Sequence, residues 1–329
     1  MLLSDKDSFV IFRLPYSKDT FIITGEWKTN QNPYTCFVIS EFKENKPIFL
    51  DGEKKILQNN LVIRNNSNSL APVNTTKEEY FKTAEKFISL CVNESVNKII
   101  LSRIIKEKNS HENIYTVFQE LCAKYNHSFN YLLSHPSLGM WMGASPEELI
   151  TGNSTTFYST TALAGSKKWS NNVNWGNKEI EEQQYVKKYM EKKLLKLTSE
   201  SFCDTDLITV KAGNIAHLKS TFKFKTNQSL IKLANALHPT PAVSGYPVAK
   251  AMKNIANFET HSRSLYCGYI GEVSDKSAKL FVNLRCMQIK KNNFYIYVGG
   301  GLTNLSVPID EWEETQIKSQ TLLSIIKKC

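Results

Sequence analysis

The chain has 329 residues, of which 41% are hydrophobic, and a formal net charge of +10 from 41 Lys and Arg against 31 Asp and Glu. This length suits one large domain or two ordinary ones with a sizeable core. The lysines are spread out and form no dense basic block, which argues against a nucleic-acid-binding protein and favours a small anionic substrate or a simple compositional bias.

The cysteine pattern and the N-terminus bear on the compartment. Seven cysteines occur at irregular spacing without a CxxC pair, which argues against a disulfide framework or a zinc site and for a reducing environment. The first residues, MLLSDKDSFVIF, carry charges and lack the apolar core of a signal peptide. No apolar run approaches the length of a membrane span. We therefore expect a soluble, cytoplasmic protein.

Strands and helices are predicted along the whole chain, in one continuous α+β domain. Residues 58–74 are rich in Asn and Ser and are predicted to be a loop. A helix then begins at Thr75, with Glu78 as the partner in a capping box, and its apolar stripe is expected in the core. Because hairpins and long excursions join the strands, much of the sheet should be antiparallel. The predicted strands are 8–14, 20–27, 34–40, 47–50, 98–107, 129–134, 138–143, 154–163, 207–210, 215–224, 265–273, 278–288 and 294–298, and the later helices are 113–125, 177–197, 229–237, 248–257 and 308–327.

The stretch YVGGGLTNLSVPIDEWEETQIK combines a glycine run with an acidic helix. Gly299–Gly301 end an apolar strand and are expected to lead into a loop, where missing side chains would let a ligand approach the backbone. Glu311 and Glu314 share one helical face, as the ligands of a hard cation would. The alternative is a tight turn followed by a solvated helix, in which Glu314 and Lys318 form an ordinary i,i+4 pair.

Two single residues suggest acid–base chemistry. Lys98 begins KIILSRIIKE, a strand apolar on both faces, where burial would lower the pKa of a lysine and let it act as a base. Glu147 follows a Ser-Pro turn in GASPEEL, where a raised pKa would make it a general acid. The alternatives are a strand-edge lysine with its ammonium in water and a glutamate stabilised by a helix dipole. Position alone favours the alternatives.

Three further features are candidates. Glu179 and Glu182 repeat the i,i+3 spacing of the carboxylates in the C-terminal helix, so two facing helices could hold Mg²⁺, although a charge-rich helix is usually a solvated face. His238 opens HPTPAVSGYP, a segment stiffened by three prolines, and could orient a substrate or cap the preceding helix. Arg285 lies within apolar LFVNLRC and needs an anionic partner, either a ligand carboxylate or an internal salt bridge.

Taken together, these segments resemble the chorismate-utilising enzymes. KIILSR, GASPEEL, TALAGS, EIEEQQYV, HPTPAVSGYP, YCGYIGE, NLRC, VGGGLTNLSVP and EWEETQIK occur in the order seen in that family, which includes isochorismate and salicylate synthases and the large subunits of anthranilate and aminodeoxychorismate synthase. The resemblance covers 75–329, within a single domain 1–329 whose first 74 residues contribute strands and a loop. It implies the fold of anthranilate synthase component I, a large, mostly antiparallel sheet core of two packed sheets with helices outside.

The motifs resemble the isochorismate synthases most. Lys98 stands where water-adding members carry a basic lysine and ammonia-using members carry glutamine, and Ala164 stands where a nucleophilic lysine can occur in aminodeoxychorismate synthases. The resemblance implies a Mg²⁺-dependent isomerase that converts chorismate to isochorismate, for menaquinone or siderophore synthesis. Salicylate synthase and anthranilate synthase component I are the alternatives, and a non-enzymatic binder of anions or nucleic acid is a third.

The resemblance also implies a role for each candidate residue. Lys98 would deprotonate the water that attacks C2, and Glu147 would protonate the departing C4 hydroxyl. Mg²⁺ would be held mainly by Glu182 and Glu314. The remaining roles are metal support by Glu179 and Glu311 and substrate binding by Arg285, Tyr266, Gly299, Gly301, Lys318, His238, Ala164 and Gly165. We expect chorismate as the only partner of a monomer, with no nucleic acid, membrane or obligatory glutaminase.

Three positions depart from the family pattern. Gln183 replaces a histidine that often follows the metal-binding glutamate, Ala162 replaces the proline that commonly opens the PLAG motif, and Gly300 replaces the more usual alanine between two loop glycines. None of these changes removes a reacting group. They bear on the rigidity of the loops and on the affinity for the metal.

Overall fold

The computed structural model describes residues 1–30, 36–44, 46–58, 61–67, 70–155, 157–212 and 215–327. Six helices occur in these ranges: α1 (Lys77–Val92), α2 (Ile114–Lys124), α3 (Asn177–Leu197), α4 (Leu230–Leu237), α5 (Val248–Phe258) and α6 (Pro308–Ile326). Within the same ranges, no helix is both long and apolar enough to cross a membrane. The six cysteines that are described carry free thiols.

The strands of the first half of the chain are β1 (Leu2–Ser4), β2 (Phe9–Arg13), β3 (Phe21–Lys28), β4 (Cys36–Ser40), β5 (Ile48–Ile56), β6 (Val62–Arg64), β7 (Lys98–Lys108), β8 (Phe129–His135), β9 (Gly139–Ser145) and β10 (Glu148–Asn153). Those of the second half are β11 (Tyr158–Lys168), β12 (Glu200–Ala212), β13 (Ile215–Lys225), β14 (Gly245–Tyr246), β15 (Tyr269–Val273), β16 (Ser277–Val282), β17 (Cys286–Ile289) and β18 (Asn293–Leu302).

Sixteen of these strands form one hydrogen-bonded ladder. Its order is β12-β13-β11-β10-β16-β15-β4-β5-β3-β2-β8-β9-β17-β18-β7-β14, and β1 and β6 form a separate parallel pair. Neighbouring strands of the ladder run antiparallel, for example β7 with β18 and β11 with β13. The prediction of a large, mostly antiparallel sheet with helices is therefore confirmed.

The ladder folds back on itself into two packed layers. Phe129 of β8 and Phe281 of β16 stack with ring centroids 4.6 Å apart. Their strands stand six places apart in the ladder, which would separate them by roughly 29 Å in a flat sheet with strands about 4.8 Å apart. Both side chains are buried in the main hydrophobic core. The core therefore lies between two halves of one continuous ladder.

Three helices pack against strands that carry candidate residues. Helix α1 packs against β7, α3 against β11 and α6 against β18. Helix α1 has the predicted core stripe, since Tyr80, Ala84, Phe87 and Cys91 are buried. Its capping box starts one residue later than predicted: Thr76 accepts from the amide of Glu79, whose side chain accepts from Thr76 N. The single domain predicted for 1–329 stays a prediction, although the ladder joins strands from both sides of residue 74.

Several predictions of secondary structure were wrong, and the helix that was the alternative at Glu147 does not form. The loop predicted over 58–74 contains β6, which pairs with the unpredicted strand β1. Strand β10 follows Glu147, where a helix was the alternative. The strand predicted over 278–288 is interrupted between β16 and β17, where Arg285 has a φ of 50°. Gly299–Gly301 belong to β18 and do not form a loop. Part of the strand predicted over 34–40, residues 34 and 35, lies outside the described residues.

A buried ion pair stabilises the edge of β7 beyond its short pairing with β14. The Arg263 guanidinium donates to both carboxylate oxygens of Glu259 and to the carbonyl oxygens of Val243 and Ile100. Glu259 Oε1 in turn accepts from the amide of Ser102 at 2.7 Å. These contacts satisfy backbone groups that a neighbouring strand would otherwise pair. They hold the middle of β7 in place opposite the glycines of β18.

Candidate active site

One cleft is lined by residues of the strands β7, β11, β13 and β18 and of the helices α3 and α6. Eleven of the fourteen candidate residues line it: Lys98, Glu147, Ala164, Gly165, Glu182, Tyr266, Arg285, Gly299, Gly301, Glu314 and Lys318. The structure thus brings together residues that are up to 220 positions apart in the chain.

The glycines of β18 make room for the polar side chains of the cleft. A methyl group built on Gly301 would lie 2.8 Å from Lys98 Cε and 2.9 Å from Glu182 Oε2, and one on Gly299 would lie 2.9 Å from the Tyr266 hydroxyl. Such separations are closer than side chains tolerate. Glycine at Gly299 and Gly301 is therefore required for these side chains to occupy their positions.

The register of β18 also sets the direction of its backbone groups. Opposite Gly301 and Gly299 stand Ile100 and Ser102 of β7, whose amides bond away from β18, to Ser244 O and Glu259 Oε1. Because hydrogen-bonded and non-hydrogen-bonded pairs alternate in antiparallel strands, Gly299 and Gly301 direct their N–H and C=O groups away from β7. Lys318 Nζ donates to Gly299 O at 2.9 Å on that side.

Lys98 is buried in the cleft beside a carboxylate. Its side chain is 2% exposed, and Nζ lies 3.3 Å from Glu182 Oε2. The location is therefore not that of a strand-edge lysine with its ammonium in water. The role of Lys98 as a base stays a prediction.

Glu147 has the environment of a general acid. Burial raises its pKa to about 8, against the opposing effect of the charges on Lys98 and Lys318. The residue precedes β10, and its carbonyl accepts from the amide of Val282. No helix begins at this position, so the helix dipole cannot stabilise its charge. The carboxyl group is protonated at neutral pH and faces the same cleft as Lys98.

Three carboxylates from α3 and α6 are each paired with a lysine. Glu182 lies near Lys98, Glu311 accepts a close hydrogen bond from Lys178, and Glu314 Oε1 lies 2.5 Å from Lys318 Nζ. Burial raises the pKa of Glu311 to about 7, reinforced by the charge of Glu314. Burial also acts on Glu314, but the charges on Lys318 and Lys178 outweigh it and lower its pKa.

The fit of a magnesium ion can be tested on these carboxylates. In the described residues, no three His, Cys, Asp or Glu side chains are already grouped around a common point. Glu311 Oε2, however, is buried without a hydrogen-bond partner of good geometry, although the Ser306 hydroxyl is near enough to stabilise its charge. A methyl group on Gly300 would lie 3.4 Å from this oxygen and 3.5 Å from Glu314 Oε1. The oxygen donors thus suit Mg²⁺, with lysines as their present partners.

Glu179 has a different environment from the other three carboxylates. Its Oε2 accepts from the amide of Gly176 at 2.8 Å, as the side chain of a capping box does, and lies 3.2 Å from Lys167 Nζ. It does not line the cleft, so its position is that of a helix cap. Glu311 is also absent from the cleft lining and is almost fully buried.

Arg285 faces the cleft without an internal ion pair. Its Nη1 donates to the Lys318 carbonyl and to Thr321 Oγ1, at 3.4 and 3.1 Å. Among the described residues no carboxylate lies within 4.0 Å of it, so the salt-bridge alternative does not apply there. Its Nη2 lies 3.5 Å from His217 Nε2. The guanidinium is therefore available to an anionic ligand in the cleft.

His217 is a cleft residue that the sequence analysis missed. Burial lowers its pKa to about 3, with the charges on Arg285 and Lys318 acting in the same direction. The ring is therefore neutral at physiological pH. Its Nδ1 lies 3.1 Å from the Gly165 carbonyl oxygen, which can only accept, so Nδ1 carries the proton and Nε2 can accept from Arg285. His217 lies outside all the segments that carry the resemblance to the family.

His238 lies outside the cleft. Burial lowers its pKa to about 3, neither ring nitrogen has a hydrogen-bond partner among the described residues, and the ring packs edge-on against Tyr269. Its backbone amide donates to Ala234 O at the end of α4. The position corresponds to the helix-capping alternative.

Gln183 is also buried and donates to Ser220 Oγ.

Comparison with known proteins bears on the family and the fold of the chain. The Escherichia coli (strain K12) isochorismate synthase EntC is 29% identical over 268 residues, which span 77% of this chain and 68% of that protein. In fold, the chain is similar to MenF, the menaquinone-specific isochorismate synthase from Escherichia coli, with a TM-score of 0.83, 16% identity and coverage of 98% and 89% of the two chains. It is also similar to anthranilate synthase component I from Streptococcus pneumoniae TIGR4, with a TM-score of 0.67, 20% identity and coverage of 77% and 58%.

These fold similarities confirm the predicted fold of anthranilate synthase component I. The sequence model of the family described as "Chorismate binding enzyme" matches residues 19–327, nearly the whole chain. The match includes every strand and helix that contributes to the cleft. The chain therefore belongs to the chorismate-binding enzymes.

Proposed function

We propose that the protein is an isochorismate synthase, an isomerase that adds water at C2 of chorismate and releases the C4 hydroxyl. The observation that carries the proposal is the pairing of Glu147, protonated up to a pH of about 8, with Lys98 across one cleft. A base and an acid on opposite sides of a ring are what this exchange of hydroxyl groups requires. The similarity to EntC supports the same activity.

The residues divide the reaction between them. Lys98 accepts a proton from the attacking water, whose oxygen bonds to C2. The ring double bonds shift, the C4–oxygen bond breaks, and Glu147 gives its proton to the departing hydroxyl, which leaves as water. Lys98 ends protonated and Glu147 ends ionised, so one proton returns through solvent before the next cycle. Charge and atoms balance, and the net reaction is an isomerisation.

The cationic residues bind the substrate. Chorismate is a dianion. The side chains of Arg285 and Lys318 line the cleft and supply positive charge to bind it. Arg285 binds the enolpyruvyl carboxylate next to the Tyr266 hydroxyl, since no internal carboxylate competes for it in the described structure. His217 aims the guanidinium by accepting from Nη2. A magnesium ion, held by Glu182 and Glu314 with support from Glu311, would neutralise the ring carboxylate.

We further propose that the enzyme acts alone, in the cytoplasm, as a monomer without a glutaminase. Lys98, where ammonia-using members carry glutamine, supports water as the nucleophile. Menaquinone synthesis is the pathway we favour, because it is the general housekeeping use of isochorismate. Supply of a siderophore or of salicylate is the alternative.

The product assay tests the function directly. The purified protein, incubated with chorismate and Mg²⁺, is expected to form isochorismate and no pyruvate, with a rate that ammonium does not change. Products are resolved by liquid chromatography and pyruvate by a coupled assay. Accumulation of salicylate and pyruvate would identify a salicylate synthase, and an aminated product formed with ammonium would identify an anthranilate synthase.

Lys98→Ala tests the base. We expect turnover to fall by roughly 10²–10⁴-fold, because a positioned base contributes that much, while chorismate still binds in calorimetry. Lys106→Ala removes an exposed lysine from the same strand and should leave turnover unchanged. Wild-type turnover in Lys98→Ala would reject the assignment.

The pH dependence tests the acid. Because burial raises the pKa of Glu147 to about 8, its carboxyl group is protonated below that pH and loses its proton above it. We therefore expect kcat/KM to fall as the pH rises through about 8. Glu147→Gln should lower kcat by roughly 10²–10⁴-fold and abolish this limb of the profile. Glu148→Gln is the matched control. A limb that persists in Glu147→Gln would assign it to another group.

Glu314→Gln tests the metal. The substitution removes one carboxylate charge from the proposed ligands and should abolish the dependence of activity on Mg²⁺, leaving a low residual rate. Glu313→Gln changes an exposed neighbour on the same helix and should keep the wild-type response. The measurement is initial rate against Mg²⁺ concentration in chelator-treated protein. Full activity of the wild type in EDTA would contradict a role for the metal.

A further inference from the structure

Lys178 occupies an unusual place for a lysine. It is the second residue of α3, immediately after Asn177 and the N-cap Gly176. The N-terminus of a helix carries partial positive charge, so a cation there is disfavoured unless acidic groups compensate it. Such compensation comes from a different helix, because Lys178 Nζ forms its closest contact with Glu311 Oε1 of α6.

The ammonium of Lys178 bridges the two helices that carry the carboxylates. In addition to Glu311, its Nζ lies 3.9 Å from Glu182 Oε1, and Glu314 is close enough to stabilise its charge. Glu311 and Glu182 are almost fully buried, whereas the Lys178 side chain is 22% exposed. The ammonium group of Lys178 therefore lies between buried carboxylates, while part of the Lys178 side chain is exposed to solvent.

Lys178 differs from the two other lysines paired with these carboxylates. Lys98 and Lys318 line the cleft and can reach a substrate, but Lys178 does not line it. Among the described residues, its ion pairs are with Glu311 and Glu182, two of the proposed metal ligands. The ammonium of Lys178 is therefore a cation beside the carboxylates proposed to hold a divalent ion, outside the cleft proposed to bind the substrate.

We propose that Lys178 is a counter-ion that holds the carboxylates of Glu182 and Glu311 together in the absence of metal and is displaced toward solvent when a divalent cation binds. This inference rests on the proposed magnesium dependence. Two cations close to the same buried carboxylates repel each other strongly at low effective dielectric, so binding of one disfavours the other. The long, flexible stem of lysine allows the ammonium to move out without a change in the backbone.

The displacement has two consequences. Without metal, Lys178 offsets the repulsion between the carboxylates and keeps the two helices packed. With metal, the cost of breaking its ion pairs is subtracted from the binding free energy of the ion, so Lys178 weakens the affinity for Mg²⁺. Removal of the amine should therefore lower the stability of the metal-free protein and strengthen metal binding at the same time.

Lys178→Met tests the competition, with Lys188→Met as the control because Lys188 is exposed on the same helix. Mg²⁺ is titrated into chelator-treated protein by calorimetry, and the melting temperature is measured in EDTA and in Mg²⁺. We expect Lys178→Met to bind Mg²⁺ roughly tenfold or more tightly than the wild type. It should melt lower than the wild type in EDTA and gain more from Mg²⁺. Lys188→Met should match the wild type.

Unchanged or weaker Mg²⁺ binding by folded Lys178→Met would overturn the proposal, as would the absence of Mg²⁺ binding in both proteins. The product assay judges the enzymatic function independently, because the calorimetry contains no chorismate. If the wild type forms no isochorismate but Lys178→Met still binds Mg²⁺ more tightly, the proposed function is rejected. The proposed competition between Lys178 and the metal then still stands.

A second measurement uses the wild type and does not depend on the folding of a variant. Lysines are acetylated briefly with acetic anhydride in EDTA or in saturating Mg²⁺, and each site is quantified by mass spectrometry. We expect Lys178 to react several times faster in Mg²⁺, while Lys188 reacts equally in both. An equal or slower reaction of Lys178 in Mg²⁺ would contradict displacement.

Discussion

The site depends on a strand that carries glycines where it passes under a cluster of charged side chains. Gly299–Gly301 pair with β7, and on one face of the strand Gly299 and Gly301 leave space for Lys98, Glu182 and Tyr266. Any side chain there would collide with them. The charged side chains can pack closely in the cleft because the glycines of β18 have no side chains. The Glu259–Arg263 pair supports the same arrangement from the far edge of β7.

Within this cleft, the pKa values of two carboxyl groups are shifted in opposite directions. Glu147 has lysines only at a distance, so burial dominates and raises its pKa to about 8. Glu314 has Lys318 Nζ at 2.5 Å, and that charge outweighs burial and lowers its pKa. One group is thereby an acid and the other an anion at neutral pH. The distance to the nearest ammonium decides between them.

Some of this could be predicted from the sequence because it depends on local patterns. The apolar stripe of α1 and the ends of α3 follow from helical periodicity, and 177–197 was predicted with the bounds that α3 has. The glycine run was predicted to end the strand because glycine suits turns and lets a ligand approach the backbone. Pairing with β7 over its whole length overrides that preference. The break at Arg285, where φ is 50°, has no signal in LFVNLRC.

For the carboxylates, too, the sequence predicted the helical face and the tertiary structure decided the environment. Spacing alone placed Glu179 with Glu182 and Glu311 with Glu314 on common helical faces, and it could not tell a cap from a ligand. In the structure, the Glu179 carboxylate accepts a hydrogen bond from the amide of Gly176. One carboxylate oxygen of Glu311 is buried without a well-aligned hydrogen-bond partner. The position of Lys178 between α3 and α6 was also beyond local reasoning, because its closest partner, Glu311, is 133 residues away in the chain.

By itself, the sequence determined the residue types of the site, the helical periodicity and the family to which the motifs point, since these depend on composition and on near neighbours. Only the tertiary structure decided that Lys98 and Glu147 share one cleft, that His217 belongs to it and that His238 does not. Those outcomes depend on how a sixteen-stranded ladder folds back on itself. The free energy of that folding comes from contacts between residues distant in the chain, which no local pattern encodes.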